Sequence, residues 1–339
     1  MQPVFDGHND ILLRLWLAGD TSGKGFLDGM DTTHIDAPRA RQGGLAGGFF
    51  AMFVPATNAA GEAILATSPI DQESAMAATM EMARIFRHLT DRHHGVIRRC
   101  LDAEDVDEAM KDGAIAAILH LEGAEAIPAD LGLLDDLYDL GLRSIGPLWS
   151  RPNIFGVGVP FSFPGSPDQG PGLTATGKDL VRACNRRRIM VDLSHLNEAG
   201  FWDVAAISDK PLVATHSNSH AICPSPRNLT DRQLAAIAES GGIVGLNFAA
   251  GFLRADGRKD PATPLALLIR HLDHLIGLLG EGGVALGSDF DGAVIPEEIG
   301  DCTGLPRLVQ AMAEAGFGNE LIDRICRRNW LDHLRVQIG

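Results

Sequence analysis

The chain has 339 residues, 45% of them hydrophobic and only 6% aromatic, and it carries a formal net charge of −15 at pH 7. This negative charge argues against nucleic acid or an anionic membrane as a partner, because both require a basic surface. The length could hold two average domains, but a barrel of strands and helices uses this much sequence for one, so we expect a single domain over residues 1–339.

The first half of the chain alternates apolar runs with helical patterns. Residues 3–10 predict a short strand, and a segment rich in Gly, Asp and Thr at about 17–42 predicts an irregular excursion over the strand ends. Apolar runs without polar alternation are typical of buried parallel strands. Such strands are predicted at 43–55, 114–123 and 142–148, and helices at 71–90, 103–111 and 131–139.

The second half repeats the alternation after a Pro- and Gly-rich loop at about 149–175, which we interpret as part of a lid because long loops in compact domains are usually functional. Strands are predicted at 188–193, 211–215, 242–248 and 284–288, and helices at 176–187, 198–208, 263–280, 305–315 and 319–334, with another helix beginning at 230–231. Eight strands alternating with helices predict an α/β fold, a (β/α)8 TIM barrel of the metal-dependent hydrolase type.

Several predicted strands end in a side chain that can bind a metal. In such barrels the C-terminal strand ends carry the chemistry, so these side chains are expected to meet at one mouth. Each of these residues alone is more simply explained by a structural role, but six of them at one barrel mouth favour a metal site. Imidazoles and carboxylates without thiolates suit one or two zinc ions better than manganese or iron. The residues are His8, Asp10, Glu122, His195, His216 and Asp289.

Other classes of protein lack their signatures in this sequence. No G-x-S-x-G or H-E-x-x-H motif occurs, which argues against serine hydrolase and thermolysin-like chemistry. The five cysteines are odd in number and widely spaced, which disfavours a disulfide framework. The opening residues do not resemble a secretory signal, and no apolar run reaches about 18 residues. We therefore expect a cytoplasmic protein that does not contact a membrane.

Six short motifs together resemble the membrane (renal) dipeptidase family of binuclear zinc peptidases, which includes bacterial members. They occur in the family's order across nearly the whole chain, and the set is highly specific although each piece is short. The motifs are FDGHND at 5–10, HLEGAEAI at 120–127, VDLSH at 191–195, ATHSNSHAICPSPRNLTD at 214–231, GSDFDG at 287–292 and NWL at 329–331.

The resemblance implies a site with two zinc ions per chain, in which hydroxide bridging the metals attacks the peptide bond. One zinc would be bound by His8 and Asp10, the other by His195 and His216, and Glu122 would bridge them. Asp289 would be the acid/base carboxylate, so that Asp289 and Glu122 are the expected catalytic residues.

Arg227 resembles the arginine that holds the terminal carboxylate of the dipeptide. A planar guanidinium can bind a carboxylate through two parallel hydrogen bonds, which would favour dipeptides over longer chains. The alternative is a surface arginine that caps the helix near Asp231.

The chain departs from the family pattern at two places. Where the family usually has Leu-Thr-His before Asn, with the His on the scissile carbonyl, this chain reads LWSRPN at 148–153. The position of the expected His is occupied by Ser150, and we expect Ser150 and Asn153 to face the substrate. Either Arg151 or another group replaces the missing donor, or the substrate differs from ordinary dipeptides. At 326–329 the chain reads CRRN where Gly-Gly commonly precedes Asn, a change expected to affect only the last helix.

The resemblance favours a zinc dipeptidase acting on small dipeptides, including those with a C-terminal D-residue. An alternative is a non-peptidase hydrolase that uses the same site on an amide, a lactam or an N-acyl amino acid. A degenerate metal-binding protein is the third interpretation, and it is disfavoured because all six ligand and acid/base residues are present. We consider a homodimer as the assembly, which the sequence neither requires nor excludes.

Overall fold

The strands of this computed structural model, which describes residues 1–56 and 65–339, are mostly short and buried. The longer ones lie in the first half of the chain, where the apolar runs are longest. In order they are Val4–Asn9 (β1), Leu45–Phe53 (β2), Ile97–Arg99 (β3), Ile115–Glu122 (β4), Leu142–Gly146 (β5), Pro152–Asn153 (β6), Gly156–Val157 (β7), Met190–Val191 (β8), Val213–Ala214 (β9), Ile243–Leu246 (β10) and Val284–Leu286 (β11).

Helices follow most of these strands. No helix among the described residues is long and apolar enough to cross a membrane. In chain order the α-helices are Ile11–Leu17 (α1), Lys24–Asp28 (α2), Ala37–Gly43 (α3), Gln72–Arg92 (α4), Ala103–Lys111 (α5), Leu133–Leu140 (α6), Ala175–Arg187 (α7), Glu198–Ile207 (α8), Asp231–Glu239 (α9), Ala250–Leu253 (α10), Leu265–Leu279 (α11), Leu305–Glu314 (α12), Asn319–Asp323 (α13) and Asn329–Gln337 (α14).

The excursion at 17–42 differs from the prediction because it contains α2 and most of α3. Asp36 caps α3 by accepting a hydrogen bond from the backbone of Arg39, and its carboxylate also binds the Arg39 side chain at 2.6 Å. Helices of five to seven residues span fewer than two turns, so they show little periodicity in sequence. Composition alone therefore suggested an irregular segment.

Apart from β6 and β7, the strands of the described residues form two parallel sheets whose edges meet. The larger sheet has the order β1-β2-β4-β5-β8, with β3 beside the first half of β4, and the smaller has the order β11-β10-β9. Parallel bridges join Asp192 to Val213 and Asn9 to Phe290. The backbone N–H of Leu193 donates to Val213 O at 2.8 Å, and that of Asp289 donates to His8 O at 3.0 Å. The C-terminal ends of strands from both sheets therefore lie side by side.

The N-terminal end of the strands is filled by aromatic side chains. Trp330 of α14 is fully buried, stands 5.2 Å from the Phe49 ring and 6.5 Å from the Phe5 ring, and donates its indole N–H to Leu286 O at 2.9 Å. Gly7 allows this close packing, because a Cβ at that position would lie only 2.7 Å from Cζ2 of Trp330. The core is thus closed below the strand ends that carry the polar residues.

The last predicted helix is interrupted in the structure. A π-helical turn at Arg324–Arg328 separates α13 from α14, and it spans the Cys-Arg-Arg positions at which the sequence departs from the family pattern. Arg327 and Arg328 both pair with the Asp323 carboxylate. The loop at 149–175 also has structure, since β6 and β7 form a small antiparallel hairpin within it.

Candidate metal centre and substrate cavity

Five of the predicted ligands converge at the C-terminal ends of the strands. Glu122 is the last residue of β4, and its Oε2 lies 3.6 Å from His8 Nε2. Its other oxygen, Oε1, lies 2.9 Å from His195 Nε2 and 3.4 Å from His216 Nε2. Asp10 Oδ2 lies 3.5 Å from His8 Nε2. One oxygen of Glu122 therefore faces His8, and the other faces His195 and His216, while the rings of His8 and His216 stack with their centroids 3.9 Å apart.

The parallel arrangement explains why these distant residues meet. Asp10 directly follows β1, and His195 and His216 follow β8 and β9 by a few residues. Because neighbouring parallel strands end at the same edge, side chains just beyond them share one space. The local sequence places the side chains at strand ends, and the sheet pairing brings them together.

The donor atoms of the cluster fit a zinc ion. Both ring nitrogens of His8 and Oδ1 of Asp10 are buried without a hydrogen-bond partner among residues 1–56 and 65–339. Buried polar atoms normally have partners, so unpaired imidazole and carboxylate atoms indicate that another group binds there. Imidazole nitrogen and carboxylate oxygen are zinc ligands. Glu122, His8 and His216 also offer atoms that lie within 4.8 Å of one another.

The charges of the cluster favour a cation. Burial disfavours the charged His8 ring, yet Glu122 and Asp10 raise its pKa to about 10. Burial raises the pKa of Glu122 to about 8. Burial, together with the positive charge of Arg227, lowers the pKa of His195 well below its usual value, and burial with the charge of His8 does the same for His216. These two imidazoles are therefore neutral, as a metal ligand must be.

Asp289 lies beside this cluster with one oxygen already occupied. Asn247 Nδ2 donates to Asp289 Oδ2 at 2.9 Å, and Asp289 belongs to a group with His8 and Asp10 whose ligand atoms lie within 4.8 Å of one another. Burial and the negative charge of Asp10 raise the pKa of Asp289 to about 6, although His8 opposes this. A carboxyl group with a pKa close to neutrality can both accept and release a proton.

Arg227 is buried at the cluster, so its interpretation as an exposed helix cap is wrong. Its Nη1 donates to Ser217 Oγ at 3.1 Å and its Nη2 to His216 O at 3.0 Å. The N-cap of α9 is instead Thr230, which forms a capping box with Gln233. Burial lowers the pKa of Arg227 to about 10, so the guanidinium is charged at neutral pH.

The residues around Ser150 do not all reach the site. Ser150 Oγ lies 2.9 Å from His195 Nδ1. Arg151 is committed elsewhere, because it donates to Glu125 Oε1 at 2.6 Å and to Val54 O at 2.7 Å. The amide of Asn153 binds Pro147 O and the backbone N–H of Phe155, and Asn153 does not line the cavity above the cluster. The structure therefore supports neither Arg151 as the replacement donor nor Asn153 as a substrate contact.

A cavity of about 540 Å³ opens above the cluster. Glu122, His195 and Asp289 form part of its lining, and aromatic side chains form one wall. Pockets of this size with an apolar wall and a few polar groups are typical of small-molecule sites. The aromatic residues are Phe53, Trp149, Phe161 and Phe252.

Three polar residues of the site were missed in the sequence. Asn247 holds Asp289, while Asp192 accepts a hydrogen bond from Thr215 Oγ1 at 2.6 Å, beside the ring of His216. Each lies at the C-terminal end of an apolar strand-like run, where an otherwise buried polar residue needs a partner. The position of each residue at the end of such a run was the signal by which the sequence could have identified it.

Known proteins resemble the chain over nearly its full length. Dipeptidase AC, a metallopeptidase of family M19, is 52% identical, with a TM-score of 0.94 and 99% of each chain covered. A metallopeptidase from Rhodobacter sphaeroides, liganded with a phosphinate mimic of the dipeptide L-Ala-D-Ala, is 50% identical, with a TM-score of 0.93 and the same coverage. An "uncharacterized protein in pqqA 5'region" of Klebsiella pneumoniae is 50% identical over 251 residues, which are 74% of this chain and 93% of that protein.

The family assignment follows from these likenesses. The profile of the membrane dipeptidase family, peptidase family M19, matches residues 1–337. This match confirms the resemblance inferred from the six motifs, and the two solved relatives carry the dipeptidase and metallopeptidase names. The chain belongs to the membrane dipeptidase family M19 and is a metallodipeptidase of that family.

Proposed function

We propose that the enzyme is a binuclear zinc dipeptidase that hydrolyses small dipeptides, including those with a C-terminal D-residue. The observation that carries the proposal is the position of Glu122, with one oxygen towards His8 and the other towards His195 and His216. A carboxylate shared in this way suits two metal ions. The Rhodobacter sphaeroides relative, which binds a mimic of L-Ala-D-Ala, supports the substrate class.

In this proposal His8 and Asp10 would hold one zinc, His195 and His216 would hold the other, and Glu122 would be shared between them. Bound zinc would supply Lewis acidity and lower the pKa of a water molecule towards neutrality. The protein supplies the dry surroundings, since all five ligand residues are buried. The low polarity of such a site strengthens every charge interaction within it.

Asp289 moves the proton in the proposed reaction. Asn247 occupies Oδ2, which leaves Oδ1 to take a proton from the attacking water and deliver it to the leaving amine. Gly292 leaves room for this oxygen, because a Cβ at that position would lie only 2.5 Å from it. The carboxyl group is thus held in one orientation beside the metal ligands, which is what efficient proton transfer requires.

Arg227 binds the terminal carboxylate of the dipeptide in this proposal. Its Nε is buried and has no hydrogen-bond partner within the described part of the chain. A guanidinium offers two parallel N–H groups to a carboxylate, and an unpaired buried N–H is available for this. The nearby cavity would accept the substrate side chains.

We also propose that eight strands, β1, β2, β4, β5, β8, β9, β10 and β11, close into the predicted (β/α)8 barrel. The bridges from Asp192 to Val213 and from Asn9 to Phe290 support closure, since they join both edges of the two sheets. The single-domain organisation, the cytoplasmic location and the homodimer stay predictions.

The function is tested by comparing four substrates of the zinc-loaded enzyme: L-Ala-D-Ala, L-Ala-L-Ala, the C-terminal amide of L-Ala-D-Ala, and N-acetyl-D-alanine. We expect both free dipeptides to be cleaved. Hydrogen bonds to a charged group contribute roughly 1.5–3 kcal/mol, so kcat/KM for the amide should be about 10- to 100-fold lower than for its parent dipeptide. Preferred cleavage of N-acetyl-D-alanine would favour the non-peptidase alternative.

Arg227→Lys identifies the source of that preference, because lysine keeps the charge and loses the two-pronged geometry. The substitution should weaken hydrolysis of the free dipeptide and hardly change that of the amide. Arg14→Lys is the control, since Arg14 is an arginine that lines the cavity and donates to Asp291 O. Equal losses on both substrates in Arg227→Lys would show that Arg227 acts through structure.

A further inference from the structure

We infer that Ser150 is a positioning residue for the metal ligand His195, and that it holds the ring in the tautomer that presents Nε2 to the metal. The inference rests on the proposed function only in taking His195 as a zinc ligand. Ser150 Oγ and His195 Nδ1 lie 2.9 Å apart, and both residues are buried.

The surroundings of His195 determine where its ring proton lies. Arg227 Nη2 lies 3.1 Å from His195 Nε2, and a guanidinium has only donor N–H groups. This contact is a hydrogen bond only if Nε2 carries a lone pair, whereas an ionised Glu122 Oε1, 2.9 Å from the same nitrogen, would call for an N–H. Zinc bound at Nε2 would decide between the two, because a metal ligand needs its lone pair for the metal. The neutral ring then carries its proton on Nδ1 and donates it to Ser150 Oγ.

His216 is held by an equivalent hydroxyl. Thr215 Oγ1 lies 2.8 Å from His216 Nδ1 and donates its own proton to Asp192 Oδ2 at 2.6 Å. Its remaining role towards His216 is that of an acceptor, so the His216 proton also lies on Nδ1. Both rings thus turn Nε2 lone pairs towards Glu122 Oε1, with the two Nε2 atoms 3.2 Å apart.

Ser150 therefore differs in role from the histidine that the family usually has at this position. Its hydroxyl is occupied by His195, its side chain is 1% exposed, and it does not line the cavity, whereas its neighbour Trp149 does. Trp149 therefore lines the cavity, whereas Ser150 contacts Nδ1 of His195, on the side of the ring opposite to Nε2. Partners of this kind fix the orientation of a metal-bound imidazole and raise its affinity for the metal.

The test measures zinc affinity of the full-length protein by competition with a chromophoric chelator. Loss of such a partner typically weakens metal affinity by about 10- to 100-fold, and we expect this loss at one of two sites in Ser150→Ala and Ser150→Val. Threonine and valine have the same shape, but only threonine has a hydroxyl. The Ser150→Thr variant should therefore bind zinc more tightly than the Ser150→Val variant. The visible spectrum of the cobalt-substituted protein should change in Ser150→Ala and Ser150→Val but not in Ser150→Thr.

Ser144→Ala is the matched control. Ser144 Oγ lies 2.8 Å from Nδ1 of His120, another buried histidine that is outside the proposed ligand set. Zinc affinity should stay at the wild-type value in this variant. An equal loss in Ser144→Ala would overturn the inference, because it would reflect general packing.

Three further outcomes are distinguishable. Wild-type zinc affinity in both Ser150→Ala and Ser150→Val, with a fall in kcat/KM for a dipeptide, would overturn the inference and place Ser150 on the substrate. If Ser150→Ala does not fold, the Thr and Val pair decides the question. Failure of the wild-type enzyme to hydrolyse any dipeptide would refute the proposed function and leave the zinc comparison intact.

Discussion

Asp289 combines an uncommon backbone conformation with a raised pKa. Its φ is 60°, in the left-handed region that non-glycine residues seldom adopt, and Asp291 two residues later has a φ of 69°. Such conformations cost about 1–3 kcal/mol and persist where surrounding contacts determine them. Here Asp289 N–H donates to His8 O, so the turn is tied to the strand that carries His8, the first proposed metal ligand.

Asp289→Asn removes the proton-transfer group and keeps the shape of the side chain. Because general acid–base catalysis typically contributes about 10²–10⁴-fold, we expect kcat to fall by that range. Zinc content, measured by elemental analysis, should stay at the wild-type value, because Asp289 is not in the proposed ligand set. Activity within about threefold of wild type would assign proton transfer to another residue.

At the scale of elements, the site depends on how α14 closes the lower end of the strands. Trp330 packs on Phe5 of β1 and Phe49 of β2 and donates to the end of β11. These strands carry or precede His8 and Asp289. A helix near the C-terminus therefore supports the strand ends that form the site.

Trp330→Ala should lower the free energy of unfolding by about 3–5 kcal/mol, because removal of a fully buried aromatic side chain leaves a cavity. Equilibrium denaturation with urea measures the change. Trp202→Ala is the control, since Trp202 is only partly buried and its indole stacks on Arg232 at the surface. Similar losses in the two variants would contradict the role of Trp330 as the closing residue of the core.

The elements also show how far sequence patterns reach. The pattern at 263–280 predicts a helix that the structure places at Leu265–Leu279, and the one at 103–111 matches α5. By contrast, β8 and β9 have two residues each, fewer than predicted. The backbone N–H groups of Ser194 and Thr215 donate to the Asp192 side chain, so this polar residue replaces part of the strand pairing.

For the whole molecule, the candidate metal site concentrates buried negative charge in a protein whose net charge is already −15. Asp10, Glu122 and Asp289 are close together, and burial raises the pKa of Glu122 and Asp289. A divalent cation that binds the folded chain and not the unfolded chain relieves this repulsion and stabilises the fold. Metal binding and folding should therefore be coupled.

Zinc removal with a chelator should lower the thermal unfolding midpoint and abolish activity, and added zinc should restore both. A single site occupied at 100 to 1,000 times its Kd stabilises by about 2.7–4.1 kcal/mol, so the shift should be easily measured by scanning calorimetry. Wild-type protein purified without chelator should contain about two zinc ions per chain. An unfolding midpoint independent of zinc would contradict the coupling.

The residue types of the site could be predicted because each is a polar interruption at the end of an apolar run. His8, Glu122 and His216 follow this rule, and the parallel arrangement of strands is enough to bring such ends together. Arg227 could be assigned to the site by motif alone. Its competing interpretation as a helix cap was settled only by its burial in the folded chain.

The partners of His195 and Asp289 could not be predicted, because they come from other strands and loops. Ser150 meets His195 across 45 residues, and Asn247 meets Asp289 across 42. The patterns used on the sequence describe periods of two or 3.6 residues, which report the face of one strand or helix. Which hydroxyl or amide lies behind a given ligand depends on register and loop path, and these are set by the packing of the whole chain.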